Sequence, residues 1–194
     1  MGIGKTTVCQ QLKQDLPNSV FLDGDWCWDA SPFQVTDETK AMVTNNICYL
    51  LDNFLKCSAY ENIIFCWVMH EQSIINSILE KLDTQNCEVK CVSLVADEKT
   101  LCERLAMDVE RGIRSEDIIE RSIARIPMYQ ALNTIKIDTN AKTVAMIAKE
   151  IKLLGLPAGR PRQRRARHQT GTCGGPPGPA HRRPTAQHHQ RDRP

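Results

Sequence analysis

The chain has 194 residues, of which 41% are hydrophobic, 25% charged and only 5% aromatic. That length suits one α/β domain, or one domain with a tail, and the hydrophobic share excludes a wholly disordered chain. The longest apolar run, Ile63 to Met69, is too short for a membrane helix, and no basic-then-apolar leader opens the sequence, so a cytoplasmic protein is expected.

The formal charge of +2 averages two unlike parts. Residues 1–156 hold 16 Lys and Arg against 22 Asp and Glu, a net of −6. Residues 157–194 hold nine Arg against one Asp, a net of +8, with seven Pro and five Gly. That second part has no Lys and none of Val, Ile, Leu, Met, Phe, Trp or Tyr. It lacks the apolar surface to offset ordering, so a domain boundary is expected near Leu156, with a disordered tail beyond. An Arg-rich arm can hold nucleic acid through phosphates. The abrupt switch to Lys-free usage points instead to a segment with no evolved role, and no specific nucleic-acid partner is expected.

Eight of the nine Cys lie in the body, at 9, 27, 48, 57, 66, 87, 91 and 102, and none forms Cys-x-x-Cys. Several fall inside apolar patterns, as in Ile-Ile-Phe-Cys66-Trp-Val, which reads as buried, reduced thiols and not as a disulfide framework or zinc site. His70 is the one body histidine and has no metal-ligand partner at useful spacing.

In chain order the pattern predicts a helix over Lys5–Leu16, a strand over Ser19–Asp23 and a helix over Thr36–Cys57, with Asp37 and Glu38 favouring its N-terminus. Asn62–Val68 reads as a strand buried on both faces, and Glu71–Leu82 as a helix. A strand over Val89–Val95 leads to a helix over Asp97–Glu110, capped by Asp97 and broken at Gly112. One helix over Ser115–Tyr129, a strand over Thr134–Asp138 and a helix over Lys142–Leu154 complete the body. This alternation predicts an α/β fold, a three-layer parallel sheet with helices on both faces.

Met1-Gly2-Ile3-Gly4-Lys5-Thr6-Thr7 runs straight into the first helix, as the second half of a phosphate-binding P-loop (Walker A) does. Gly2 and Gly4 let backbone N–H groups approach phosphate oxygens, and the start of the helix favours anions. Lys5 would reach the phosphates of ATP, Thr6 would ligate Mg²⁺, and Thr7 would join the cradle. Counting back, the motif's first Gly and the strand that feeds it would precede Met1. The first strand of the sheet is therefore expected to be missing, and Met1 is not expected to be the natural start. That loss would be on the order of 10 kcal/mol and would leave neighbouring strands unpaired along one edge.

The sequence has no Asn-Lys-x-Asp and no Leu-Ser-Gly-Gly-Gln, which argues against a GTPase switch and a transporter ATPase. The strand at Ile63–Val68 lacks the Asp of a Walker B strand. The carboxylates that remain are in Phe21-Leu22-Asp23-Gly24-Asp25, at the C-terminal end of a strand and so on the P-loop edge of such a sheet. Asp23 would support Mg²⁺, and Asp25 would orient or deprotonate an acceptor hydroxyl. The bland alternative is an Asp-Gly turn without chemistry.

Leu22-Asp23-Gly24-Asp25 resembles the acceptor motif of gluconate and adenylylsulfate kinases, and its Asp-x-Asp is similar to that of shikimate kinases. Arg125-Ile126-Pro127-Met128-Tyr129, followed by Ile137-Asp138-Thr139, also resembles a shikimate kinase stretch. The resemblance, to small-molecule P-loop kinases with a nucleoside-monophosphate-kinase-type fold, covers most of residues 2–154. It implies ATP and Mg²⁺ as cofactors, a small-molecule acceptor, and a substrate-binding role for Arg125, which grips a carboxylate in shikimate kinases. The chain departs from the pattern at Met69-His70-Glu71, where those enzymes carry three glycines, and at Trp26-Cys27-Trp28, where gluconate kinases carry His-Pro.

Arg111-Gly112-Ile113-Arg114 falls where these kinases carry a mobile lid, so Arg111 and Arg114 are candidate catalytic residues over the transferring phosphoryl group. Arg121 and Arg125, four apart, are expected on one helix face, while Arg104 and Arg121 read as solvated charges. Trp26 and Trp28 either shape an acceptor pocket or cover the end of the sheet, and Trp67 reads as core. The expected activity is an ATP-dependent phosphotransferase acting on a small molecule, with a monomer as the expected state. The alternative is a non-catalytic or defective ATP-binding module.

Overall fold

The computed structural model describes residues 2–155; the expected boundary near Leu156 and the Arg-rich tail lie outside the described residues. Helix α1 (Lys5–Asp15) leads to β1 (Ser19–Asp23), a one-turn 3-10 helix (Gly24–Cys27) and α2 (Asp37–Lys56). Strand β2 (Asn62–Cys66), α3 (Gln72–Leu79), β3 (Val92–Val95) and α4 (Glu98–Glu110) follow. The chain then forms α5 (Ile118–Ile123), α6 (Ile126–Ala131), β4 (Ile135–Asp138) and α7 (Val144–Leu154). None of these helices is long and apolar enough to cross a membrane.

The strands are parallel, as the alternation of helix and strand requires, but they form two pairs. β1 lies beside β2 with Ser19 opposite Asn62 and Asp23 opposite Cys66. β3 lies beside β4 with Val92 opposite Ile135 and Val95 opposite Asp138. No ladder joins the pairs among the described residues, so each strand has one edge without a strand partner.

Side chains carry the fold across that break. Phe21, Ile64 and Cys66 face one core with Val8, Cys9 and Leu12 of α1, Ile147 and Ala148 of α7, and Ile137 of β4. Leu22, Ile63 and Phe65 point the other way, into a second core with Val43, Ile47 and Leu51 of α2 and Ile78 of α3. Successive residues of β1 and β2 thus feed opposite layers, which is why both strands read as nearly continuous apolar runs.

Local signals set the element ends. Thr36 and Thr39 cap α2 reciprocally, each side chain accepting from the other's backbone N–H. Asp97 caps α4 by accepting from the Thr100 N–H at 2.7 Å. The single helix expected over Ser115–Tyr129 is instead two short helices, α5 and α6, meeting at Ala124 and Arg125. Pro127 accounts for the break: its ring would strike the Ile123 carbonyl in a continuous helix, but it fits the first turn of α6. Arg121 lies in α5 and Arg125 is the residue before α6, so the single helix expected to carry both is interrupted between them.

Candidate active site

The loop before α1 enters the helix through Gly4, at φ +86°, a left-handed conformation that a side chain would strain. Gly2 is also left-handed, and a Cβ there would lie 2.4 Å from Cδ2 of the fully buried Leu105, so the loop backbone is pressed against α4. No side chain caps the first turn of α1, and no acidic residue sits in it. The leading N–H groups, those of Lys5, Thr6 and Thr7, therefore have no intrahelical acceptor and face the positive end of the helix dipole. Donors so placed suit an anion.

Beside these N–H groups the Thr6 hydroxyl donates to Asp23 Oδ2 at 2.6 Å, tying the start of α1 to the end of β1. Asp23 is only 4% exposed, and its other oxygen accepts from the Asp25 backbone N–H at 3.1 Å. The Cys66 thiol hydrogen-bonds the Cys9 thiol and, more weakly, Asp23; the Cys9 bond first and burial second push the Cys66 pKa up. The eight body cysteines are free, as the sequence suggested, although Cys57 and Cys87 are exposed.

Asp25 lies beyond Asp23 on the 3-10 turn. The residue as a whole is exposed. Desolvation first, and the Asp23 charge second, push its pKa above the usual carboxylate range. Lys5, a hydrogen bond from the Trp67 indole and the Arg114 guanidinium oppose that shift. Gly24 makes the arrangement possible, since a Cβ there would lie 2.5 Å from Trp67 Cγ. Trp67, read from sequence as core alone, thus also holds the Asp25 carboxyl.

The sequence pattern of the AAA domain matches residues 1–125. The chain belongs to the AAA domain family. Its fold is that of the P-loop kinases. A gluconokinase from Sinorhizobium meliloti 1021 matches at 19% identity over 77% of this chain and 83% of its own, with a TM-score of 0.54. The Deinococcus radiodurans tunicamycin resistance protein matches at 20% identity over 82% of this chain and 94% of its own, with a TM-score of 0.62. A sugar kinase from Janibacter sp. HTCC2649 matches at 14% identity over 78% of this chain and 87% of its own, with a TM-score of 0.57. No curated protein matches the sequence.

Within this AAA domain the arginines divide by position. Arg111 ends α4, and Gly112 follows in a left-handed conformation, so the helix breaks where the sequence placed it. Arg114 donates to Asp108 Oδ2 at 3.1 Å and is near enough to Asp25 to favour its anion. Arg125 lies at the start of α6 beside His70 and Tyr129. Burial first, then Arg125, lowers the His70 pKa, against the pull of Glu71. Arg121 pairs with Asp117 at 2.9 Å, as a solvated helix charge does.

Arg104 departs from that solvated reading. It donates to Thr139 Oγ1 at 3.0 Å and to the Thr139 carbonyl at 2.9 Å, and Thr139 is completely buried. The Thr139 hydroxyl donates onward to the Val95 carbonyl at 3.1 Å. Arg104 therefore joins α4 to the ends of β3 and β4. No sequence spacing announces this link, because the two partners are far apart in the chain.

Proposed function

We propose that the protein is an ATP- and Mg²⁺-dependent phosphotransferase that moves the γ-phosphoryl group of ATP to a hydroxyl of a small molecule. The observation that carries this reading is the 2.6 Å Thr6–Asp23 hydrogen bond, because it puts a P-loop hydroxyl, a buried carboxylate and Asp25 on one edge. The kinase neighbours give it a fold of the right kind.

In this reading the N–H groups of Lys5, Thr6 and Thr7, with the Lys5 ammonium, hold the ATP phosphates, and Gly2 and Gly4 keep the backbone close to them. Thr6 and Asp23 are hard oxygen donors suited to Mg²⁺; the Thr6 proton points to Asp23, which leaves that hydroxyl's oxygen lone pairs for the ion. Bound there, Mg²⁺ would neutralise charge on the phosphates. Asp25 takes the acceptor's hydroxyl proton, the acceptor oxygen bonds to the γ-phosphorus, and the bond to the β,γ-bridging oxygen breaks to release ADP. A carboxyl with a raised pKa suits that proton transfer at neutral pH. Arg114 and Arg111 balance the charge that develops on the transferring group.

The test is titration calorimetry with Mg·ATP, followed by acceptor-dependent ATP consumption. Lys5→Met removes a charge-assisted phosphate contact of roughly 1.5–3 kcal/mol, so affinity should fall about 10- to 150-fold and turnover should vanish. Mg·ATP binding that ignores Lys5→Met overturns the reading. Binding without turnover of any acceptor would favour a non-catalytic nucleotide-binding module.

A further inference from the structure

The last turn of α4 carries an acid where helix electrostatics disfavour one. Asp108 faces the negative end of the helix dipole, and no basic residue in that turn offsets it. Its partner comes from beyond the helix: Arg114 Nε donates to Asp108 Oδ2 at 3.1 Å, with the two side chains 34% and 28% exposed.

The backbone brings the two together. The Ile113 N–H bonds back to the Asp108 carbonyl at 2.9 Å, and the Gly112 N–H to the Val109 carbonyl at 2.8 Å, the paired bonds of a Schellman turn. Gly112 supplies the left-handed residue that this turn needs, at φ +67°. An apolar contact between the positions of Asp108 and Ile113 often accompanies such a turn. Here the first is an acid and Ile113 is exposed, so the ion pair takes that place.

The same stretch is anchored on the P-loop. Leu105, three residues before Asp108 and so on its side of α4, is the side chain against which Gly2 is pressed. Ile3 packs with Leu101, Leu105 and Ile118, so the chain rejoins that cluster four residues after Arg114. The segment that carries Arg114 is therefore fixed at both ends to the residues that hold the phosphate loop. From there Arg114 acts on Asp25, after Lys5 and the Trp67 indole, to favour its anion. A hold on Nε fixes the plane of the guanidinium fork, which a long and flexible side chain does not do by itself.

Building on the phosphotransferase reading, we propose that Asp108 is a positioning residue that holds the Arg114 guanidinium beside the phosphate loop and Asp25, in place for the transferring phosphoryl group before nucleotide arrives.

The experiment is a carboxyl NMR titration of Asp25 in the whole chain, without nucleotide, with the resonance assigned by its loss in Asp25→Asn. Asp23 and Lys5 are the other charged groups acting on Asp25, and both stay as they are. Asp108→Ala releases the guanidinium from that hold, so the Asp25 pKa should rise. It should rise as far as in Arg114→Ala, and no further in the double variant. Asp108→Glu keeps a carboxylate within reach and should restore most of the parent titration. If Asp108→Ala fails to fold, Asp108→Asn, of the same shape without the charge, reads the same rise. An Asp25 titration that ignores the loss of either partner overturns the proposal, as do additive shifts in the double variant. A fall in Asp108→Ala also overturns it, since Asp108 would then keep Arg114 away from Asp25. The titration uses no nucleotide, so its failure with Mg·ATP binding intact removes Asp108 from the site and leaves the phosphotransferase standing.

Discussion

Gly24→Ala tests how the site is built. The new Cβ would lie 2.5 Å from Trp67 Cγ, 2.6 Å from Cδ1 and 2.9 Å from Cβ. Carbon atoms in ordinary contact are ~3.5–4.0 Å apart, so the indole must retreat by about 1 Å. Trp67 is partly buried and packs against the core that α2 covers, so its retreat disturbs that packing. Overpacking of this kind costs ~1–3 kcal/mol, which lowers the melting midpoint by roughly 2–12 °C in a domain of this size. The retreat also takes the indole N–H away from Asp25, a contact that favours its anion, so the Asp25 pKa should rise further. Thermal unfolding by circular dichroism reads the first effect, and carboxyl NMR titration reads the second. Gly112→Ala is the contrast: its φ of +67° strains the backbone by ~1 kcal/mol, but the added Cβ meets nothing and Trp67 emission should not change. If Gly24→Ala melts like the parent and titrates like it, Gly24 and Trp67 do not position Asp25.

Asp25→Asn should stabilise the fold at neutral pH while lowering acceptor phosphorylation at least ~100-fold. The folded state raises the Asp25 pKa above 3.8, so it keeps that proton longer than the unfolded chain. Stability from this group is present at low pH and is lost as pH rises from the ordinary carboxylate range through the raised value. Urea unfolding of the two proteins should therefore coincide at acid pH and diverge at pH 7, with Asn the more stable; the opposite order at pH 7 refutes the sign. Arg104→Ala strips a completely buried threonine of two charged donors and should cost ~1.5–3 kcal/mol, read as a lower urea midpoint, with partial rescue by Lys. An unchanged midpoint would mean that the Arg104–Thr139 link contributes nothing.

The elements were largely legible in the sequence because local chemistry decides them. Strand β1 has the bounds its pattern suggests, Asp97 caps α4, and Gly4-Lys5-Thr6 opens a helix with nothing acidic in its first turn. The break between α5 and α6 was hidden by the apolar period of Ile118, Ile119, Ile123 and Ile126, which continues through it, although Pro127 was the visible signal. Of the site, Asp23 and Asp25 were readable from their position after a strand. The indole donor from Trp67 was not, because an apolar run hides which of its residues has a polar edge to offer. Arg104 was equally hidden: acids nearby on its own helix suggest a solvated charge, whereas its partner comes from the other end of a strand pair.

The two strand pairs have a consequence for how the chain folds. β1 and β2 meet across the single stretch that contains α2, and β3 and β4 across the stretch that contains α4, α5 and α6. Neither pair needs the other's hydrogen bonds, so each can form within its own stretch of chain, which leaves the contact between the two ends of the described chain as the longest-range one. That contact is the docking of α7, the last described helix, onto α1, the first, which completes the core around Val8, Ile137 and Ile147. Until it happens α1 is packed on β1 and β2 alone, and its other flank is the last part of that core to be covered.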